Sequence, residues 1–214
     1  MIDVSGSIVG GKPEEVKKAA MHFISLLKED DEVGVIAFSD TSTAVCSLTS
    51  DKQKVKNEIS SLNVSGSTNI WDSVDEALEM LRREGGSKAV ILLTDGGRNV
   101  FTFKTREGVA RKAVKLGVPM YTIGLGGDAD VNELEALASE TGGKFYFAPT
   151  PEDLKNIYGE IAKEMARVRG YLVTYKSPKQ AYILLSFLNK ARKVKVVVKL
   201  PGGGSYEYIH IYRP

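Results

Sequence analysis

The sequence predicts an α/β protein: a doubly wound, mostly parallel sheet with helices on both faces, followed by a small antiparallel β appendage. Three observations predict it. Over residues 1–168 apolar strands alternate with amphipathic helices, a pattern that right-handed crossovers turn into a parallel sheet. Ala89 to Leu93 is an unbroken apolar run, as a strand covered on both faces requires. Beyond residue 170 the apolar period becomes two, with Val194, Val196, Val198 and Leu200 alternating with Lys193, Lys195 and Lys199, the mark of a strand with one wet face.

The elements follow in order. Val16, Ala19, Ala20, Phe23, Ile24 and Leu27 form one helical stripe, and Pro13 suits that helix's first turn. Val33 to Phe38 reads as a buried strand, with Thr43 to Leu48 a short strand beside it. Asp51 to Ile59 is a small helix. Ile70, Val74, Ala77, Leu78 and Leu81 mark a longer one, which Gly85-Gly86 is expected to end. After the Ala89–Leu93 strand, Val109, Ala113 and Leu116 give a helix and Met120 to Leu125 a strand. Val131, Leu134, Leu137 and Ala138 give the next helix, and Lys144 to Phe147 the next strand. Pro151 opens a last helix, with Leu154, Ile157, Ile161, Met165 and Val168 inward. In the tail, Gly202-Gly203-Gly204 is a turn before a strand from Ser205 to Tyr212. Tyr171 to Tyr175 reads as a third strand, and residues 178–190 suit strand or helix equally. The expected division is an α/β domain over 1–168 and a β-strand extension over 169–214.

Composition narrows the functions. The chain has 214 residues, 43% of them apolar and 26% charged, the balance of an ordinary globular domain. One cysteine, Cys46, leaves no intramolecular disulfide and no cysteine-rich zinc site. Two histidines, His22 and His210, are too few for a histidine metal cluster, and His22 falls beside the first helix's apolar stripe. No apolar run reaches the ~18 residues of a membrane span, and the start of the chain carries no signal-peptide pattern. Net charge is +2 but unevenly distributed, with eight basic residues and one acidic residue in 171–214. That basic tail reads as a solvated strand face, with no nucleic-acid partner expected.

In doubly wound folds ligands bind beyond the carboxyl ends of the strands. The first strand ends in Asp3-Val4-Ser5-Gly6-Ser7, where Gly6 permits a tight loop that turns both hydroxyls inward. The fourth strand ends in Thr94-Asp95-Gly96-Gly97, bringing a second carboxylate to the same edge. Ser65-Gly66-Ser67-Thr68-Asn69 precedes a helix there and offers Thr68. Two carboxylates and three hydroxyls make an all-oxygen set. A hard cation such as Mg²⁺ takes such ligands. Because hydroxyls are neutral, the metal keeps enough positive charge to accept a carboxylate from outside.

These phrases resemble the metal-ion-dependent adhesion site of von Willebrand factor type A domains. The likeness covers residues 1 to about 168 and includes Val33-Gly34-Val35-Ile36-Ala37-Phe38-Ser39 and Tyr121-Thr122-Ile123-Gly124-Leu125-Gly126. The resemblance implies a Rossmann-like six-stranded sheet of order 3-2-1-4-5-6. It also implies a site for Mg²⁺ or Mn²⁺ at Asp3, Ser5, Ser7, Thr68 and Asp95, and capture of a protein ligand whose Asp or Glu completes the coordination. On this reading the chain is an adhesion or protein-interaction module and not an enzyme. The alternative is a partner-binding subunit of a chelatase or another ATP-driven assembly. The tail, Tyr171 to Pro178, Arg192 to Val198 and Tyr212-Arg213-Pro214, is similar to an extension after this domain in some bacterial and archaeal proteins.

One departure from the family pattern stands out. Only Met1 and Ile2 precede Asp3, so the first strand is expected to be truncated and the chain to begin inside a longer protein, extracellular or membrane-associated. Other chemistry fits less well. Gly124 to Asp128 lacks the third glycine of a dinucleotide loop. Ser5 has no histidine base beside it in sequence. Trp71 and the row Tyr206, Tyr208, His210, Tyr212 read as packing residues.

Overall fold

The computed structural model describes residues 1–6, 13–40, 42–63, 66–96, 102–167, 192–199 and 205–212, the last two segments and Arg167 by backbone alone. The chain divides into two compact units, Met1–Gly170 and Tyr171–Pro214.

The first unit runs β1 (Ile2–Asp3), α1 (Pro13–Leu26), β2 (Val33–Phe38), β3 (Ser42–Thr49), α2 (Lys52–Ser60), α3 (Ile70–Leu81), β4 (Val90–Thr94), α4 (Arg106–Leu116), β5 (Met120–Leu125), α5 (Val131–Thr141) and β6 (Phe145–Ala148). A 3₁₀ turn at Pro151–Asp153 then leads into α6 (Leu154–Arg167). The sheet order is β3-β2-β1-β4-β5-β6, parallel throughout except for the antiparallel edge strand β3. This is the predicted doubly wound sheet. The second unit contains β7 (Arg192–Lys199) and β8 (Ser205–Tyr212), an antiparallel pair with Val194 opposite His210 and Val196 opposite Tyr208. The expected third tail strand and residues 178–190 lie outside the described residues.

The pleat of the strands sorts their side chains into two cores. Val35, Ala37, Leu93, Tyr121, Ile123 and Leu125 face α1 and α6, where they meet Val16, Ala20, Phe23, Leu154, Tyr158 and Ile161. The alternate residues Ile36, Phe38, Val90, Leu92 and Met120 face the opposite layer and meet Trp71, Val74, Leu78, Val109, Ala113, Leu134 and Leu137. A strand with both faces covered is apolar almost throughout, and this is why Ala89 to Leu93 reads as a continuous run. The buried Thr122 of β5 is accommodated because its hydroxyl donates to the Leu134 carbonyl. Trp71, 7% exposed, is a packing residue as predicted.

Helix ends follow local chemistry. The side chains of Asp51, Thr105 and Asp130 accept backbone N–H groups at the starts of α2, α4 and α5. Gly117 and Gly142 close α4 and α5 in the left-handed conformation. The helix α3 ends at Leu81, before Gly85-Gly86. Its last apolar stripe residue is Leu81, and Arg82, Arg83 and Glu84 beyond it have no core to cover. Gly143 fixes a close crossing, because a Cβ there would fall 1.9 Å from the Met120 carbonyl oxygen.

The central strand β1 is two residues long. Ile2 pairs with Ala37 on one side and Leu93 on the other. The Met1 amine is buried and donates to the Ile91 carbonyl at 2.7 Å. Burial lowers that amine to a pKa of about 5.

Candidate metal site

The cluster is built at the carboxyl edge of the sheet, where β1 and β4 end side by side. Ile2 is level with Leu93, so Asp3 is level with Thr94. Ile2 belongs to the α1–α6 core and Met1 packs against the other. Alternation therefore turns Asp3 toward the α3 layer, and Thr94, two residues after Leu92, turns the same way. There the Thr94 hydroxyl donates to Asp3 Oδ2, and the Ser5 amide donates to Asp3 Oδ1 at 2.9 Å. Asp3 and Ser5 are each 1% exposed, and Thr68 is buried with them. Burial pushes the Asp3 carboxyl above its ordinary range, and the hydrogen bonds from Ser5 and Thr94 act against that shift.

Thr68 arrives from the loop before α3. Gly96, directly after Asp95, packs under it so closely that a Cβ on Gly96 would lie 2.9 Å from Thr68 Oγ1. The Gly96 amide donates to Thr94 Oγ1 at 3.1 Å. Asp95 thus lies between two residues that touch Asp3 and Thr68. Of the predicted set, the fold brings Asp3, Ser5, Thr68 and the Asp95 segment to one edge. Ser7 lies outside the described residues.

The loop before α3 is itself tied down. Gly6 N–H donates to the Gly66 carbonyl at 2.8 Å, and Asn69 N–H to the Ser39 carbonyl at 2.7 Å. The Ser67 amide donates to Asp40 Oδ1. Gly66 has φ +86°, and a Cβ there would come within 2.8 Å of that carboxylate, so glycine is required on both counts. Asn69 caps α3, accepting the Asp72 N–H at 3.4 Å. Although burial works against ionisation, hydrogen bonds from Asn69, Phe103, Thr102 and Lys104 hold the Asp72 carboxyl below its usual value.

Sequence reasoning missed Thr94, Asp40, Asp72 and Gly96. Thr94 and Gly96 flank Asp95 and could have been read as part of its phrase. Asp40 carried no local signal, because its partner is 27 residues away, and Asp72 reads locally only as a first-turn helix acid beside Asn69, its other donors lying about 30 residues away.

Chemically the cluster is oxygen-rich and poor in soft donors. Among the described residues no group of three or more His, Cys, Asp or Glu gathers to hold a metal. An ion here would therefore have to draw on hydroxyls as well as the two acids. Asp3 suits such a role, since both its oxygens are oriented by hydrogen bonds and burial opposes leaving its charge without a counterion.

A doubly wound α/β domain with carboxylates and hydroxyls gathered where its first and fourth strands end defines the class of protein. The family model of the von Willebrand factor type A domain matches residues 1–160, and the chain belongs to that family. Among curated proteins it is similar to inter-alpha-trypsin inhibitor heavy chain H3 of Homo sapiens, 31% identical over 185 residues, covering 77% of this chain and 21% of that protein. An uncharacterized protein of Synechocystis is 27% identical over 187 residues, covering 78% of this chain and 41% of its own. The chain thus spans about a fifth of the length of the heavy chain. Among solved structures it resembles proximal thread matrix protein 1 from the mussel byssus with a zinc-occupied MIDAS motif. That match has a TM-score of 0.66 and 28% identity, over 76% of this chain and 43% of that one. A von Willebrand factor type A protein from Catenulispora acidiphila shares the fold at a TM-score of 0.66 and 21% identity, over 76% of this chain and 41% of that one.

Proposed function

We propose that residues 1–168 form a divalent-metal-dependent protein-interaction module, with residues 169–214 a C-terminal β extension of it. Asp3, Ser5, Ser7, Thr68 and Asp95 would hold the ion, intact as a metal-ion-dependent adhesion site of bacterial or archaeal type. The carrying observation is that Asp3, Ser5 and Thr68 are all buried polar residues at the edge where the Asp95 segment ends β4. Oxygen donors with several neutral hydroxyls suit Mg²⁺ or Mn²⁺. The zinc in proximal thread matrix protein 1 supports a divalent ion at the corresponding place. The ion supplies a Lewis-acidic point that an acidic side chain can ligate. The chain's own residues orient the carboxylates and keep the edge rigid.

The partner in this reading is a protein presenting Asp or Glu, and the chain performs no catalysis alone. With only two acids in the set, a divalent ion is neutralised but not overcompensated, so an incoming carboxylate meets no excess negative charge and can make a charge-assisted contact, which is strong. Calorimetric titration with Mn²⁺, Mg²⁺ and Zn²⁺ tests the site. One Mn²⁺ or Mg²⁺ per chain is expected, with binding abolished in Asp3→Ala and reduced at least tenfold in Asp95→Ala. Undiminished binding in either variant would remove the proposal.

A further inference from the structure

We propose that Asp72 is a positioning residue of this site, its carboxylate clamping the 102–104 segment to the start of α3 so that Thr68 stays against the loop that carries Asp95. The inference rests on the metal reading above and concerns a residue which that reading does not use.

An acidic residue in the first turn of a helix ordinarily faces solvent and complements the helix dipole. Asp72 does more. Its Oδ1 accepts the Thr102 hydroxyl at 3.0 Å, the Lys104 amide at 2.9 Å and the Phe103 amide at 3.1 Å. Its Oδ2 accepts the Asn69 side-chain amide at 3.0 Å and the same Phe103 N–H at 3.2 Å. A carboxylate offers about four lone-pair sites, so these contacts use its capacity. Three donors come from a segment some thirty residues downstream, and the fourth from the residue that follows Thr68.

The arrangement closes a circuit around the candidate ligands. The β4 exit is held at its near end by Gly96, which packs under Thr68 and donates to Thr94. Asp72 holds residues 102–104, further along the chain, to the same helix start. Asn69 joins the two, since it is bonded to Asp72, to the Ser39 carbonyl and, through the peptide bond, to Thr68. Without the Asp72 carboxylate, the 102–104 amides would turn to water and Asn69, the residue after Thr68, would lose its side-chain partner. Thr68 and Asp95 could then move apart. Asp75, one turn further along α3, is the internal control for charge. It is half-buried, pairs with Lys112 and reaches the 102–104 segment only through the Lys104 side chain, leaving that segment's backbone amides to Asp72.

The test uses the full 214-residue chain and Mn²⁺ alone. In Asp72→Ala, Mn²⁺ affinity is expected to fall about tenfold or more, the range seen when groups that orient metal ligands are removed. Asp72→Asn keeps one acceptor oxygen and should fall in between. Asp75→Asn, with an equal charge change, should alter affinity less than twofold. Amide exchange of residues 102–104 in chelator should quicken at least tenfold in Asp72→Ala and little in Asp75→Asn. A merely structural Asp72 would change exchange and melting but leave Mn²⁺ affinity untouched, and that result overturns the inference. Equal weakening by Asp75→Asn overturns it too, because charge alone would then suffice. If Asp72→Ala does not fold, Asp72→Asn against Asp75→Asn decides. No Mn²⁺ binding by the wild-type chain sinks the metal reading and this inference together. Normal wild-type binding with an unaltered Asp72→Ala sinks this one alone.

Discussion

Thr94→Val isolates the hydrogen bond that organises Asp3. Valine matches threonine in shape, and Thr94 is fully buried, so the change opens no cavity. It removes one donor to Asp3 Oδ2 and one acceptor for the Gly96 amide. A hydrogen bond to a charged group contributes about 1.5–3 kcal/mol, and an orphaned amide costs about 1–3 kcal/mol. Gly96 is only half-buried and can recover part of its loss from water, so the sum should be about 2–4 kcal/mol with Asp3 ionised. The loss should depend on pH. The folded-state pKa of Asp3 is already raised by burial, so its contribution to stability is fullest below the unfolded value and is lost as pH rises through the folded one. Removing a donor to the ionised form raises the folded value further. The deficit of the variant against wild type should therefore be smaller at pH 5 than at pH 8. Urea unfolding of both proteins in chelator at the two pH values measures it. Mn²⁺ titration at pH 7 should show weakened binding, because the variant loses the hydroxyl that orients Asp3 Oδ2. Equal midpoints at both pH values together with equal Mn²⁺ affinity would refute the role given to Thr94.

Two further changes probe the site's edge and the sheet. Gly96→Ala places a Cβ 2.9 Å from Thr68 Oγ1, so the hydroxyl must move. Mn²⁺ affinity should drop about tenfold while melting shifts little, and a titration matching wild type would contradict the close packing. Beside Val33–Ile36 of β2 and Val90–Ile91 of β4 lies an open cavity of about 760 Å³ lined by Met1, Phe23, Ile24, Val33, Val35 and Ile91. Appending four β-branched residues ahead of Met1 should fill it as strand and add about 2 kcal/mol, or roughly 4–8 °C in melting temperature. The same extension should remove a pH dependence of the 214-residue chain. The Met1 amine titrates near 5 when folded and 8.0 ordinarily, so the unfolded chain binds more protons between those values and stability rises with pH across that window. An extended chain that melts no higher and keeps the slope would show that the cavity does not accept a strand.

Much of this molecule was legible in one dimension. Whether a segment is helix or strand depends on which of its own residues are buried, and that pattern is written at spacings of two to four residues. The stripe Val16 to Leu27 and the run Ala89 to Leu93 needed nothing else. The candidate ligands could be nominated from sequence because Asp3, Ser5, Ser7 and Asp95 sit in short phrases at strand ends, where this class of fold places its sites, and Thr68 sits in the loop before α3. The helix α3 stopped short of its glycines, because the core it covers ended first. What only the tertiary structure decided is who holds those ligands. Thr94 meets Asp3 across 91 positions, and Asp40 reaches Ser67 across 27. Such contacts exist because β1 lies between β2 and β4 in one particular register. A slip of one residue would turn Thr94 to the opposite face. Register is set by the sum of the packing on both faces of the sheet, which no short stretch of sequence contains.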